Sequence, residues 1–213
     1  MGGGAESATP RKEHWERVYT SRAPEAVSWH QKVPEISLAL IEASGVGPAG
    51  AVVDIGGGIS ALAEHLLDRG FTDVTVLDIA EACLDHARKR LGPRAGGAIQ
   101  WIVADAAAWQ PEREYALWHD RAVFHFLVEA DDRRAYRRVL QRAVAAGGSV
   151  VVAAFAPGGP ERCSGLPVQR HSAESFAAEL GPEFALEETR REEHHTPAGG
   201  VQRFLWARFR RAP

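Results

Sequence analysis

From residue 51 onward, the sequence alternates between short apolar runs and amphipathic segments. The apolar runs are AVVDI (51–55), DVTVLDI (73–79), IQWIVADA (99–106), YALWHD (115–120) and SVVVAAFA (149–156), with helix-like segments at 59–70, 80–92 and about 131–145. Strands and helices in this rhythm require parallel strands joined by right-handed crossovers. We therefore predict an α/β fold with a doubly wound, mostly parallel sheet and helices on both faces.

The two ends of the chain differ from this central pattern. After a predicted helix at 173–180, FALEETRREEHH and GVQRFLWARFRR are separated by TPAGG, which predicts an antiparallel hairpin at the sheet edge. Residues 1–9 are small and polar, which predicts a disordered tail. Helical patterns at 10–19 and 34–43 predict a helical cap over residues 10–45, within a single domain spanning 10–213.

Composition limits the partners that we expect. The net charge of −3 comes from 25 basic and 28 acidic residues without a segregated block, so we expect no nucleic-acid partner. No apolar run approaches 18 residues and the first residues lack an apolar segment, so we expect no membrane contact and a cytoplasmic protein. We expect either a monomer or a homodimer. Cys83 and Cys163 lack the paired spacing of a zinc site, so we expect reduced thiols and no bound metal.

The segment VVDIGGGIS places an acid and a glycine cluster where a buried strand turns into a helix. Glycines let backbone N–H groups approach a ligand that a β-carbon would obstruct. Asp78 ends the next strand, where it suits ribose hydroxyls, and Asp105 ends the third, where it suits an adenine amine. Each aspartate alone can instead cap the following helix, but the set predicts a nucleotide site.

Two features favour S-adenosylmethionine (SAM) over a nicotinamide cofactor, although Gly56, Gly58 and Ala61 also satisfy the dinucleotide pattern G-x-G-x-x-A. Asp54 puts a negative charge beside the loop, which suits a sulfonium-bearing amino acid better than a pyrophosphate. None of the three tyrosines is followed by a lysine four residues later, as a hydride-transfer site would suggest. An NAD-dependent oxidoreductase stays a distant alternative.

The stretches DIGGGIS (54–60), VLDI (76–79) and VADA (103–106), with the closing hairpin, resemble class I SAM-dependent methyltransferases over roughly residues 35–210. Ser60 stands where such enzymes commonly have a third glycine. The resemblance implies a seven-stranded sheet with its last strand antiparallel, the acid and glycines of the loop near the methionine moiety, Asp78 on the ribose, and Asp105 with Ala106 near adenine. The predicted cofactor-binding residues are Trp29, Asp54, Gly56, Gly57, Gly58, Asp78, Ile79, Asp105, Ala106 and Asp120.

The acceptor side is expected to follow the fourth strand, in WHDRAVFHFL (118–127), where the resemblance puts the acceptor next to the methyl group. The predicted catalytic residues are His119, His125 and Arg121, and the predicted substrate contacts are Trp15, Tyr19, Phe124, Cys163 and Arg170. HWERVY and SWHQKVP resemble an N-terminal lid, whose aromatic faces suit a sulfonium. The alternative is that the histidines and aromatic residues only fill the core.

Three functions stay open at this stage. The first is methyl transfer from SAM to a small molecule, in which an amine or hydroxyl acceptor needs a base such as His125 or His119, whereas a thiolate or metalloid acceptor needs none. The second is lysine methylation of a protein, because DRAVFH stands where some protein lysine methyltransferases have a comparable Asp-Lys-Gly-Thr stretch. The third is a SAM-binding module without catalysis.

Overall fold

The computed structural model describes residues 3–213 and contains the predicted seven-stranded sheet. Its strands are β1 (Val52–Ile55), β2 (Val74–Asp78), β3 (Ile99–Val103), β4 (Tyr115–Arg121), β5 (Val144–Phe155), β8 (Phe184–His195) and β9 (Val201–Arg211). Their order is β3-β2-β1-β4-β5-β9-β8. The strands β6 (Arg162–Cys163) and β7 (Leu166–Pro167) form a separate small hairpin inside the loop after β5.

The first five strands of the large sheet are parallel, and β9 is antiparallel to both β5 and β8. The predicted closing hairpin is therefore confirmed, with β9 inserted between β5 and the edge strand β8. Because β9 runs against β5, its first residues lie at the edge where the parallel strands end. The hairpin thus contributes to the ligand edge of the sheet.

The helices cover both faces of the sheet. They are α1 (Gly3–Ser21), α2 (Glu35–Ala43), α3 (Leu62–Asp68), α4 (Glu81–Leu91), α5 (Ala130–Ala143) and α6 (Ala173–Leu180). The buried residues of α1 to α4 share one hydrophobic cluster, and those of α5 and α6 belong to the other. Among the residues that the structure describes, no helix is long and apolar enough to span a bilayer.

Several element ends differ from the predicted pattern. Helix α1 starts at Gly3, so residues 3–9 continue this helix where composition predicts disorder. A helix satisfies most of its backbone hydrogen bonds within itself, so a polar composition alone does not prevent it from extending. Residues 1 and 2 of the predicted tail lie outside the described residues. Helix α3 begins at Leu62 because residues 57–60 form a turn, with the Ser60 amide donating to the Gly57 carbonyl.

Strand β1 lies at the point where the winding of the sheet reverses, because its neighbours are β2 and β4. Asp54 is in register with Val76 on one side and with His119 on the other. The carboxyl ends of these strands therefore meet at one edge, with a crevice between the connections that leave in opposite directions. Open α/β sheets bind their ligands at such a switch point.

Successive side chains of β4 point to opposite faces of the sheet. Leu117 belongs to the cluster beneath α1 to α4, and Trp118 belongs to the cluster beneath α5 and α6. On the second face, Trp118 Nε1 donates to the Tyr136 hydroxyl (2.8 Å), which donates to Asp120 Oδ2 (2.7 Å). This buried chain of hydrogen bonds connects β4 to α5.

We expect Tyr136→Phe to destabilise the fold by about 2 kcal/mol, because the buried Trp118 donor and one Asp120 oxygen each lose the hydroxyl as partner. The measurement is urea unfolding followed by circular dichroism. Tyr115→Phe is the matched control: its hydroxyl makes one longer contact, 3.2 Å to Thr75 Oγ1, so a smaller loss is expected. Equal losses in the two variants would contradict the role given to Tyr136.

Candidate active site at the switch point

A cleft opens at the carboxyl ends of β1, β2, β3 and β4. Ten of the sequence-predicted site residues line it: Trp15, Tyr19, Trp29, Gly56, Asp78, Ile79, Asp105, Ala106, Arg121 and Cys163. Helix α1 lies over the cleft, and the first residues of β9 form part of its wall. A concave, mostly apolar lining with a few polar groups is typical of a small-molecule or cofactor site.

The glycine loop between β1 and α3 packs too closely against its neighbours to accept side chains. Gly56 has φ +66°, and a β-carbon there would overlap Val123. A β-carbon on Gly57 would overlap the Asp54 carboxylate, and one on Gly58 would lie 2.8 Å from Asp78 Oδ2. The loop therefore brings its backbone against the ends of β2 and β4.

Asp78 is the last residue of β2, and its side chain is buried in the cleft opposite Gly58. Its Oδ1 accepts a hydrogen bond from the Ala80 amide at 3.0 Å. Burial raises the pKa of this carboxyl to about 6, and backbone hydrogen bonds offset only part of the shift, while no cation contributes. The carboxylate lines the cleft, so a ligand there can donate further hydrogen bonds to it.

Asp54 takes part in a buried chain of polar groups rather than in the main cleft. Its Oδ1 accepts a hydrogen bond from His119 Nδ1 at 2.7 Å, and His119 Nε2 lies 3.0 Å from Ser37 Oγ of α2. Asp54 Oδ2 is buried and has no hydrogen-bond partner among the described residues. Asp54, Gly57 and His119 line a second cavity, which shares Gly56, Trp29 and Arg121 with the cleft.

The far end of the cleft is formed by the turn after β3. Asp105 Oδ1 accepts a hydrogen bond from the Ala107 amide at 2.8 Å, and this hydrogen bond stabilises the turn that contains Asp105. Its Oδ2 lies 3.9 Å from the Arg11 guanidinium, which also binds Asp132 at 3.0 Å. Arg11 therefore connects α1 to this end of the cleft and to the start of α5.

Aromatic rings form the opposite end. Trp15 of α1 lies 5.7 Å from Trp29, 5.8 Å from Tyr19 and 5.0 Å from Phe126, measured between ring centroids. Phe204 of β9 also lines the cleft. Edge-to-face contacts between such rings hold their relative positions. This end presents electron-rich ring faces and little polar surface.

Arg121, the last residue of β4, lies between the cleft and the second cavity. Its Nη1 donates to the Trp29 carbonyl at 3.0 Å, and its guanidinium stands 4.8 Å from the Phe204 ring centroid. Burial lowers its pKa, and Glu192 partly offsets this. The side chain is thus a buried cation at the aromatic end.

The structure places four predicted site residues away from the cleft, each for a physical reason. Asp120 lies on the α5 face because side chains alternate along β4, and it accepts hydrogen bonds from Tyr136 and from the Val123 amide. Phe124 is buried in the same face. Arg170 is paired with Glu161 at 3.1 Å.

His125 is the fourth of these residues. It is fully buried between Phe126 and Phe155, and neither ring nitrogen has a hydrogen-bond partner among the described residues. Burial lowers its pKa to about 3, with smaller contributions from His171 and Arg121. The imidazole is therefore neutral at neutral pH and does not line the cleft.

Four contributors were missed by sequence reasoning: Arg11, Glu16, Gln202 and Phe204. The first two lie on α1, whose position over the sheet depends on tertiary contacts. The other two lie at the start of β9, and only the antiparallel direction of that strand brings them to the cleft. The alternation in VQRF was the available signal for Gln202 and Phe204 sharing a face.

Among residues 10–213, whose side chains the structure describes, no group of three or more histidine, cysteine or acidic side chains is arranged to hold a metal ion. His194 and His195 point in different directions. His194 is buried, with Nε2 2.8 Å from the Ser28 carbonyl, and His195 is exposed.

Comparison with known families and structures agrees with this geometry. A family profile described as a methyltransferase domain matches residues 52–148, from β1 into β5. No curated protein matches the sequence. Many solved structures share the fold.

Three of these structures cover most of the chain at low sequence identity. One comes from work on the conversion of a disulfide bond into a thioacetal group during echinomycin biosynthesis (22% identity, 94% of this chain, 91% of that chain, TM-score 0.76). Another is N-methyltransferase NodS from Bradyrhizobium japonicum WM9 with S-adenosyl-L-homocysteine (18%, 95% and 98%, 0.72). A third is Burkholderia thailandensis 1,6-didemethyltoxoflavin-N1-methyltransferase with 1,6-didemethyltoxoflavin and S-adenosylhomocysteine (16%, 98% and 87%, 0.69). The chain therefore resembles methyltransferase domains over residues 52–148 and shares the fold of these solved structures.

Proposed function

We propose that this protein binds SAM in the cleft and transfers its methyl group to a small-molecule acceptor. The observation that carries the proposal is the position of the Asp78 carboxylate directly opposite Gly58. A buried carboxylate that lines the cleft faces a loop position where a β-carbon would lie 2.8 Å from its oxygen. Ribose hydroxyls are donors of the right kind for this carboxylate.

The remaining residues of the cleft fit the other parts of the cofactor. Asp105, Ala106 and Ile79 line the cleft, and we assign the first two to the adenine and Ile79 to the ribose. Trp15, Tyr19 and Trp29 offer ring faces that attract a sulfonium through cation–π interaction. When bound, SAM supplies an electrophilic methyl group that is already activated by positive sulfur. The protein's tasks are then to align the acceptor and to exclude water.

Helix α1 is proposed to act as the lid. Helix α4 has no side-chain cap of its own, because Ala80 occupies its N-cap position. Glu16 of α1 supplies the cap: its Oε1 accepts from the Glu81 amide at 2.7 Å and its Oε2 from the Ala82 amide at 3.2 Å. These contacts hold α1 over the cleft, beside Asp78.

A small acceptor is favoured over a protein because the aromatic end of the cleft lies beneath α1 and is lined by the rings of Trp15, Trp29 and Phe126. An acidic open groove, which would suit a lysine side chain on a protein, is not what these residues form. Support also comes from the Burkholderia thailandensis relative, whose acceptor 1,6-didemethyltoxoflavin is a small molecule. Lysine methylation of a protein is kept as an outcome of the experiment below.

Proton removal is not assigned to either predicted histidine. Both ring nitrogens of His119 already have hydrogen-bond partners, Asp54 and Ser37, and His125 does not line the cleft. The Cys163 thiol in the cleft has a pKa raised to about 11 by burial, so it is protonated at neutral pH. We therefore favour an acceptor whose lone pair is available at neutral pH without a side-chain base.

The direct test is titration calorimetry with SAM, S-adenosylhomocysteine and NAD, followed by incubation of methyl-labelled SAM with cell extract. We expect both sulfur nucleosides to bind, NAD not to bind, and label to appear in the metabolite fraction. Label in the protein fraction would support the lysine methyltransferase alternative. Tight nucleoside binding without label in either fraction would indicate a non-catalytic module.

Asp78→Asn is expected to weaken S-adenosylhomocysteine binding about 10- to 100-fold, because the amide cannot replace a charged acceptor of two hydroxyl donors. Asp85→Asn, on the exposed face of α4, is the matched control and is expected to bind normally. An unchanged dissociation constant in Asp78→Asn would remove this carboxylate from the ribose role.

Asp78→Asn is also expected to be more stable than the parent protein at high pH. Burial raises the folded-state pKa of Asp78 from 3.8 to about 6, so the unfolded chain ionises first as pH rises between these values and stability falls. At pH 8 the ligand-free variant should exceed the parent by up to about 3 kcal/mol, and near pH 4 the difference should largely vanish. Urea unfolding at both pH values measures this, and a difference independent of pH would contradict it.

Glu16→Ala is expected to raise the dissociation rate of S-adenosylhomocysteine about 5- to 10-fold, the range expected from losing one helix cap. Stopped-flow displacement measures this rate. Glu13→Ala removes an exposed acid of the same helix and serves as control. If the two variants release the nucleoside equally fast, the capping contact does not hold the lid.

A further inference from the structure

Arg121 carries more hydrogen-bonding capacity than its surroundings use. Its side chain is only 10% exposed, and its Nη1 donates a hydrogen bond to the Trp29 carbonyl. The other two, Nε and Nη2, are buried without a hydrogen-bond partner among the described residues. A buried guanidinium in this state is costly, and buried charges in proteins are normally paired.

The nearest acid does not complete the pair. Glu192 Oε1 lies 3.9 Å from Arg121 Nη2, beyond hydrogen-bond range. Both Glu192 oxygens already have partners: Gln31 Nε2 at 2.8 Å and Trp206 Nε1 at 2.7 Å. Because these bonds fix Glu192, it cannot approach Arg121 without losing them. It contributes a distant charge and leaves the donors of Arg121 available.

The position of Arg121 directs this capacity toward a ligand. It ends β4 at the switch point, and it lines both the cleft and the second cavity. The next residue, Ala122, has φ +71°, a conformation that non-glycine residues rarely adopt. Such a conformation persists only where its surroundings enforce it, and here it accompanies the placement of the guanidinium at the ligand edge.

We propose that Arg121 receives the carboxylate of a bound ligand through its Nε and Nη2 donors. The planar guanidinium matches a carboxylate with two parallel hydrogen bonds, which is the strongest arrangement available to this pair. The inference rests on the proposed function. It makes Arg121 a ligand-binding residue, in addition to its hydrogen bond with Trp29.

Two ligands can bring this carboxylate. One is the amino-acid part of the cofactor, for which the second cavity beside Gly56 and Asp54 offers space. The other is an acceptor that is itself a carboxylic acid, for which Phe204 and Phe126 provide an apolar wall. The chemistry at Arg121 is the same in both cases, so the experiment has an arm for each source.

The test compares the parent protein with Arg121→Met and Arg121→Gln, which keep the length or the polarity of the side chain. Arg94→Met is the matched control, because it removes an exposed arginine paired with Asp68. Titration calorimetry measures S-adenosylhomocysteine, which has the carboxylate, and 5′-methylthioadenosine, which lacks it. A second arm titrates benzoate into protein saturated with S-adenosylhomocysteine. Thermal unfolding checks that each variant is folded.

If the cofactor supplies the carboxylate, both Arg121 variants should bind S-adenosylhomocysteine about 10- to 100-fold more weakly, with methylthioadenosine unchanged. If the acceptor supplies it, both nucleosides should bind normally, and benzoate should bind the parent and the Arg94→Met control but neither Arg121 variant.

Folded Arg121 variants that match the parent in both arms overturn the inference alone. A parent protein that binds neither nucleoside overturns the proposed function, and this inference with it.

Discussion

The close approach of the glycine loop to the strands beside it determines the geometry of the whole site. Side chains at 56, 57 and 58 would overlap Val123, Asp54, and Cys83 with Asp78, respectively. Without them, the backbone after β1 packs directly against the tips of β2 and β4. A larger residue would have to separate strands whose register is fixed by continuous parallel pairing. The cleft therefore exists because three consecutive positions lack β-carbons.

This loop also explains why sequence reasoning worked for some residues. Asp54, Asp78 and Asp105 follow apolar runs that end at the same edge of a parallel sheet, so their neighbourhood follows from periodicity and the direction of the strands. Ala106 and Ile79 are adjacent to these positions and come with them. The resemblance to a known family added the strand count, the antiparallel last strand and the expected roles, and the observed sheet has this strand count and this antiparallel strand.

Strand β4 shows where such reasoning stops. It is buried on both faces, so its sequence WHDR offers no polar–apolar alternation to tell which side chains face the ligand edge. The structure separates neighbours that looked alike: Arg121 lines the cleft, and Asp120 bonds with Tyr136 on the opposite face. The same difficulty applies to His125, whose short turn buries it between two phenylalanines. Contacts from α1 depend on packing between distant segments, which no local pattern encodes.

The start of helix α4 connects the binding site to the covering helix. Its orphan amides are divided between two carboxylates from different elements: Asp78 takes the Ala80 amide, and Glu16 takes those of Glu81 and Ala82. A helix N-terminus stabilises negative charge, so both acids share one source of compensation. Movement of α1 away from the cleft would remove Glu16 and leave this end of α4 to Asp78 and solvent. A ligand that donates hydrogen bonds to Asp78 instead favours its ionised form beside the same helix end. The position of α1 and the ionisation of Asp78 are thus coupled through the consecutive amides of Ala80, Glu81 and Ala82, without any contact between Glu16 and a ligand being required.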